Sequence, residues 1–190
     1  MKFFFGFFLF FIKVFNKFRS SYWNWKLNNN TIYVSSNVRL DRCEYIEIGR
    51  GVYIGRFCWI EAVDSFYSST YKPVLTIGNN VKMSEFVHIG CVEKVIIGDD
   101  VLIGSKCLII DHSHGLCQSI QEIHHLEPLI SKPVYIGDNV FLGDNVCVLP
   151  GVSIGNNSII GANSVVTQDI PSNAVAHGSP ARVKRYLNEN

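Results

Sequence analysis

The chain has 190 residues, enough for one domain with one good core, and a second independent domain is not expected. Seventeen basic residues against sixteen acidic ones give a formal net charge of +1, which excludes a global field that would recruit nucleic acid, so any affinity for phosphate is local. The six cysteines form no C-x-x-C pair and follow no signal peptide, which argues against a zinc ribbon or a disulfide framework and for reduced thiols in the cytoplasm.

Residues 1–19, MKFFFGFFLFFIKVFNKFR, differ in composition from the rest, holding nine of the thirteen phenylalanines and four of the seventeen basic residues. The apolar run Phe3–Ile12 is ten residues long, well short of the roughly 20 that cross a bilayer, and no small-residue cleavage site follows it. The segment predicts a hydrophobic N-terminal helix over 1–19 with two outcomes. It lies at a membrane surface with Lys2, Lys13, Lys17 and Arg19 near headgroups, at the inner face of the cytoplasmic membrane, or it packs on the body or on a neighbouring subunit.

From residue 34 onward the chain is written in sixes. Large aliphatic residues recur at Ile48, Ile54 and Ile60, at Ile77, Met83 and Ile89, and at Ile97, Ile103 and Ile109. They resume at Ile136, Leu142 and Val148 and continue through Ile154, Ile160 and Val166. A smaller inward position follows four residues later, as in Val52, Cys58, Val81, Val87, Cys107, Val140, Ser158 and Ser164, which makes Cys58 and Cys107 core filler. A short strand and a corner account for such a period, whereas a helix does not, and the frequent Gly beside the large residue reads as a turn former. Three rungs close a coil, and coils stack about 4.8 Å apart into an aliphatic-filled prism of about five full coils over 34–169.

The step exceeds six between Leu40 and Ile48, Ile60 and Ile77, Ile89 and Ile97, and Ile109 and Ile136. Each break follows the same rung, so all inserts leave the prism at one corner. The longest, the arm 111–133, has room to be functional. It opens with Asp111, His112, Ser113, His114 and Gly115, where imidazoles two residues apart share one side of an extended segment beside a carboxylate able to orient one of them. A plain surface turn is the alternative. Further along, Gln118, Gln121, Glu122, His124, His125, Glu127 and Lys132 suit either a sugar acceptor or solvent. At the C-terminus, Ser179 and Pro180 read as a cap and first helical residue, predicting a short helix over 180–187.

The segments IGDNVFLGDNVCVLPGVSIGNNSIIGANSVVTQDIP and HGSPARVKR resemble the hexapeptide-repeat acyltransferases, in the branch of maltose, galactoside and surface-polysaccharide O-acetyltransferases. The resemblance covers about residues 34–186. It implies an all-β chain whose domain, 20–190, is a left-handed parallel β-helix with one protruding loop, because periodicity alone does not set the hand. It also implies a homotrimer and acetyl-CoA as cosubstrate. The general base implied is His112, beside Asp111, and the donor to the thioester oxygen is the amide of Asp144 in a neighbouring chain. Acetyl-CoA is then expected along Gly143, Asp144, Gly161, Ala162, Thr167 and Gln168, with Arg182, Lys184 and Arg185 for its phosphates. Gln168 departs from the lysine frequent there and removes one phosphate contact. His114, His88 and His124 are left as acceptor contacts.

The function so implied is acetylation of a sugar hydroxyl in surface-polysaccharide biosynthesis, O-antigen or capsule, on a sugar or lipid-linked glycan. N-acetylation of an amino sugar or nucleotide-linked amino sugar would use the same site. A zinc carbonic anhydrase-like enzyme drawing on His88, His112, His114, His124 and His125, and a non-catalytic scaffold, are the alternatives of other classes.

Overall fold

A computed structural model describes residues 14–15, 17–27, 31–114 and 128–187. Residues 1–13 and most of the arm, with Cys117, Gln118, Gln121, Glu122, His124, His125 and Glu127, lie outside the described residues.

Short parallel strands stack into three sheets that wall a left-handed β-helix. In the first sheet the inward column is Val34, Ile54, Met83, Ile103, Leu142, Ile160 and Ala176. Leu40, Ile60, Ile89, Ile109, Val148 and Val166 form the column of the second. The third column is Ile48, Ile77, Ile97, Ile136 and Ile154. Large residues therefore meet large residues in register, and nearly all are fully buried. Cys58 and Cys107 are buried among them, each thiol 3.1 Å from a carbonyl oxygen, of Ser84 and of Gly143. Burial pushes the Cys107 thiol up to about 11, so it stays protonated and unreactive.

The inserts emerge where the frame requires. A 3-10 turn at Cys43–Tyr45, the hairpin of Ser65–Phe66 with Ser69–Thr70, residues 92–93 and the arm all connect a strand of the second sheet to one of the third. They also hold one another. Arg42 Nε donates to Asp64 at 3.1 Å, Leu129 N to the Tyr71 hydroxyl at 2.9 Å, and the Ser131 hydroxyl to Glu93 at 2.9 Å.

The corners depart from expectation. The residues with left-handed backbone are mostly asparagines (Asn37, Asn80, Asn139, Asn145, Asn157, Asn163 and Asn173), which tolerate positive φ and ladder through their side chains. The repeat glycines are required for close approach. A Cβ on Gly104 would stand 2.6 Å from the Asp144 nitrogen, and one on Gly143 2.7 Å from the Ala162 nitrogen.

Two boundaries are corrected. The N-terminal helix runs past Arg19, with residues 17–26 helical. At the other end the β-helix continues to Ala174–His177, and Arg182–Tyr186 forms a strand antiparallel to it where a helix over 180–187 was expected. The Ser-Pro cap signal is local. The last strand of the first sheet instead offers an unpaired edge, and the returning chain satisfies those backbone groups by pairing with it.

Because Ile103 is wholly buried in the middle of its column, Ile103→Ala should cost about 3 kcal/mol. Thermal unfolding should register this as a fall in melting temperature of roughly 6–12 °C.

Candidate active site

Asp111 ends the last second-sheet strand before the arm and is fully buried. Its Oδ1 accepts from Val92 N at 2.8 Å, and its Oδ2 from the amides of Glu93 and Lys94 at 2.7 Å each. The carboxylate thus caps the insert of the coil below. Burial opposes its charge, but the hydrogen bond from His112 and the three amides outweigh it and hold its pKa below the usual carboxylate range.

An ionised carboxylate can only accept, so His112, whose Nδ1 lies 3.1 Å from Asp111 Oδ1, carries its proton on Nδ1. Its Nε2 is left with a lone pair, the form a general base needs. The imidazole lies over Gly90, where a Cβ would stand 3.0 Å from its Cε1. Its backbone is fixed by antiparallel pairing of His112–Ser113 with Ile130–Ser131, which closes the root of the arm. His114 is exposed at the end of this ribbon, 5.3 Å from the Phe66 ring, and has no carboxylate partner among the described residues.

His88 stands on the outer face of the second sheet, its Nε2 3.0 Å from Glu61 Oε1 and its ring stacked 4.3 Å from Trp59. Trp59 Nε1 donates to Asp41 at 3.0 Å, and the Arg39 guanidinium covers its ring. A cleft of about 420 Å³ adjoins this row, lined by Arg39, Asp41, Arg42, Glu61, Asp64 and Ser65. Glu61, Trp59 and Gly90 escaped the sequence reading. Their signal was register: Glu61 pairs with Gly90, and Gly90 with Ile110, just before the Asp111–His112 pair.

Gly143, Asp144, Gly161 and Ala162 line a different corner, between the first and second sheets. Corner amides are commonly capped by a side chain of the next coil. At the corner between the third and first sheets, Asn79, Asp99, Asp138 and Asn156 each accept from the coil below, and here Asp144 Oδ1 accepts from Ser105 N at 2.7 Å. That is the one such cap at this corner among the described residues, and Ala162, next in the column, has no acceptor to offer. The exposed Asp144 N–H is therefore left without a protein partner among the described residues, and the Ala162 N–H, below Gly178, is too. Gly143 and Gly161 keep the wall beside them bare. Thr167 and Gln168 are exposed one rung on, and Arg182, Lys184 and Arg185 project from the terminal strand, Arg182 opposite His177, whose Cβ abuts Gly161. Neutral donors beside a bare wall, ending in cations, fit a thioester, its amide-containing arm and a phosphorylated nucleotide.

Within one chain the structure brings Asp111, His112 and His114 to one corner, with His88 on the adjoining outer face of the second sheet, and Gly143, Asp144, Gly161 and Ala162 to another. The width of the second sheet separates them. No group of three His, Cys, Asp or Glu able to hold a metal occurs among the described residues.

Two family models match: bacterial transferase hexapeptide (six repeats) over residues 133–168 and hexapeptide repeat of succinyl-transferase over residues 94–113. The putative lipopolysaccharide biosynthesis O-acetyl transferase WbbJ of Escherichia coli (strain K12) is 43% identical over 125 residues, covering 62% of this chain and 64% of the relative. A galactoside acetyltransferase solved in complex with coenzyme A is 32% identical, with a TM-score of 0.56 over 82% of this chain and 64% of the other. A hexapeptide-repeat acetyltransferase of Vibrio cholerae O1 biovar eltor, complexed with acetyl coenzyme A, is 27% identical, with a TM-score of 0.54 over 80% of this chain and 72% of that one. The chain spans 64% of the length of the curated relatives it matches.

Asp111→Ala leaves three amides and the His112 imidazole without their acceptor and should cost about 3–5 kcal/mol, read as a melting temperature roughly 10 °C lower. Because the folded pKa is depressed, the stabilisation from Asp111 is complete above about pH 4 and is lost as pH falls through the folded value. Melting curves of Asp111→Asn should accordingly show a shallower acid limb than those of the wild type.

Proposed function

We propose that the chain is a hexapeptide-repeat acyltransferase that transfers acetyl from acetyl-CoA to a sugar hydroxyl as a homotrimer, with His112 as the general base. The observation that carries this reading is the buried, ionised Asp111, which fixes the His112 tautomer with Nε2 open.

An alcohol is a poor nucleophile until its proton leaves, and an imidazole accepts that proton near neutral pH. His112 Nε2 takes the acceptor's hydroxyl proton as the oxygen bonds to the acetyl carbonyl carbon. The partner subunit's Asp144 offers its unpaired N–H to the negative charge that builds on the thioester oxygen. His112 then returns the proton to the departing sulfur, so proton and acetyl group balance across the step. Acetyl-CoA supplies the activated acyl group. Gly143, Gly161 and Ala162 leave room for its extended arm, and Arg182, Lys184 and Arg185 neutralise its phosphates. The placement of base and donor on separate corners of one chain supports a site completed between neighbouring copies, as in the proposed trimer.

The polar cleft beside Glu61 and the row from Arg39 to His88 support a carbohydrate acceptor, with His114 and His88 within this region. The similarity to a protein described as a lipopolysaccharide biosynthesis O-acetyl transferase supports a sugar of a surface polysaccharide, free or on a lipid-linked glycan.

Replacing His112 by Ala should lower kcat by roughly 100- to 10,000-fold with little change in KM for acetyl-CoA, while His114→Ala should act mainly on acceptor KM. Steady-state kinetics on a panel of sugars tests both. Near-normal turnover in His112→Ala with loss in His114→Ala would move the base to His114. Loss in neither would sink the acetyl-transfer mechanism.

Ala162→Asn places an acceptor over the Asp144 N–H, as Asn156 does over Asp138 N at 2.9 Å. Its melting temperature should be unchanged or higher, while kcat falls by roughly 100- to 1,000-fold.

A further inference from the structure

The helix of residues 17–26 lies against the body by its polar side. Ser20 is buried and its hydroxyl accepts from Val34 N at 3.1 Å, Arg19 Nε donates to Val34 O at 3.2 Å, and Asn24 Oδ1 accepts from Ile32 N at 3.1 Å. Trp23 and Leu27 pack against the core from the same side. The opposite side carries Phe18, Tyr22 and Trp25, exposed by 71%, 51% and 78%, while Phe15 borders a cleft between the helix and the body with Arg19, Tyr33 and Tyr53. The spacing of four and three between Phe18, Tyr22 and Trp25 makes one continuous stripe on a helix. This inverts the usual amphipathic arrangement, in which the large apolar residues face the core.

Charge singles out what the stripe meets. Lys2, Lys13, Lys17, Arg19, Lys26 and Arg39 precede the first acidic residue, Asp41, so the N-terminal fifth of the chain is strongly cationic although the whole chain is nearly neutral. Lys17 and Lys26 are exposed on the helix itself. Phe, Tyr and Trp in a stripe flanked by lysines match the interface of an anionic bilayer, where the rings sit at headgroup depth and the ammonium groups reach lipid phosphates. No helix among the described residues is long and apolar enough to cross a membrane, so contact is from one side.

We propose that Phe18, Tyr22 and Trp25, with Lys17 and Lys26, form a docking face for an anionic lipid surface. The body fixes the helix through Ser20, Asn24 and Arg19, so membrane contact orients the whole β-helix. This stands independently of the acetyl-transfer reading, because it concerns residues outside the candidate site.

The test sediments full-length protein with vesicles of phosphatidylcholine alone and with vesicles containing about one third phosphatidylglycerol. Binding is expected to the anionic vesicles and to weaken with salt. Phe18→Ser with Trp25→Ser should reduce binding by roughly tenfold or more, and Lys17→Ala and Lys26→Ala by roughly fivefold each. All four substitutions fall on exposed side chains, so unchanged melting temperatures confirm intact variants. Equal partitioning into neutral and anionic vesicles, or binding unchanged in Phe18→Ser with Trp25→Ser, overturns the proposal. Self-association abolished by that variant, with no vesicle binding, would assign the stripe to a contact between copies and overturn it as well.

Discussion

Everything in this molecule depends on how closely successive coils stack. Coils about 4.8 Å apart leave no space for a side chain between corner backbones, and the clash distances at Gly104 and Gly143 show it directly. The corner backbone must therefore be bare, and its amides must find acceptors on the coil above or face outward. At the corner between the third and first sheets a run of Asn and Asp side chains meets that demand from Arg50 to Asp138. At the next corner the equivalent column is Ser36, Arg56, Glu85, Ser105, Asp144 and Ala162, and among the described residues the Ser105 amide alone has such a cap, so the Asp144 amide is left facing outward with its neighbours in the column. The stacking demand that side-chain caps meet along one edge of the prism thus leaves backbone donors open along another.

Asp111 applies a related device at the third corner. An insert interrupts the ladder there and strands the amides of Val92, Glu93 and Lys94, and one carboxylate satisfies all three. An unpaired buried carboxylate would be costly. With three amides and an imidazole as partners it stays ionised, and its remaining valence sets the protonation of His112. Stability and the proposed chemistry rest on one group, and a strand end carries the histidine while the longer arm projects beyond it.

The prism was legible from the sequence because each inward residue occupies one of two places in six, and both kinds of position survive in register through every coil. The common corner of the inserts was legible for the same reason. The glycines were misread, since Gly marks both turns and close approaches, and only the coordinates show that Asn takes the left-handed positions. The terminal strand was misread because Ser179–Pro180 is a local cap signal, whereas the open sheet edge that captured Arg182–Tyr186 is a property of the assembled fold. At the candidate site, Asp111 and His112 were visible as neighbours. The amides that hold Asp111 lie 17 to 19 residues earlier, and Glu61 pairs with His88 across 27 residues, so only coil register brings them in.

The two ends of the chain follow opposite solvent logic. In the β-helix the large aliphatics are inside, and the outer walls carry polar and half-buried aromatic residues. In the N-terminal helix the hydroxyl of Ser20 and the amide of Asn24 turn inward beside Trp23 to close hydrogen bonds with Val34 and Ile32, and Phe18, Tyr22 and Trp25 turn out. Packing alone would favour Phe18 or Trp25 inside, since burying such a ring gains about 2–3 kcal/mol over leaving it in water. The helix forgoes that gain. Its inner face is instead specified by hydrogen bonds to the first strand of the prism, which hold it in one rotation and leave no freedom to roll the rings inward. An exposed aromatic stripe held by polar contacts therefore belongs to a rigid platform, with an orientation relative to the prism axis that any surface it meets would inherit.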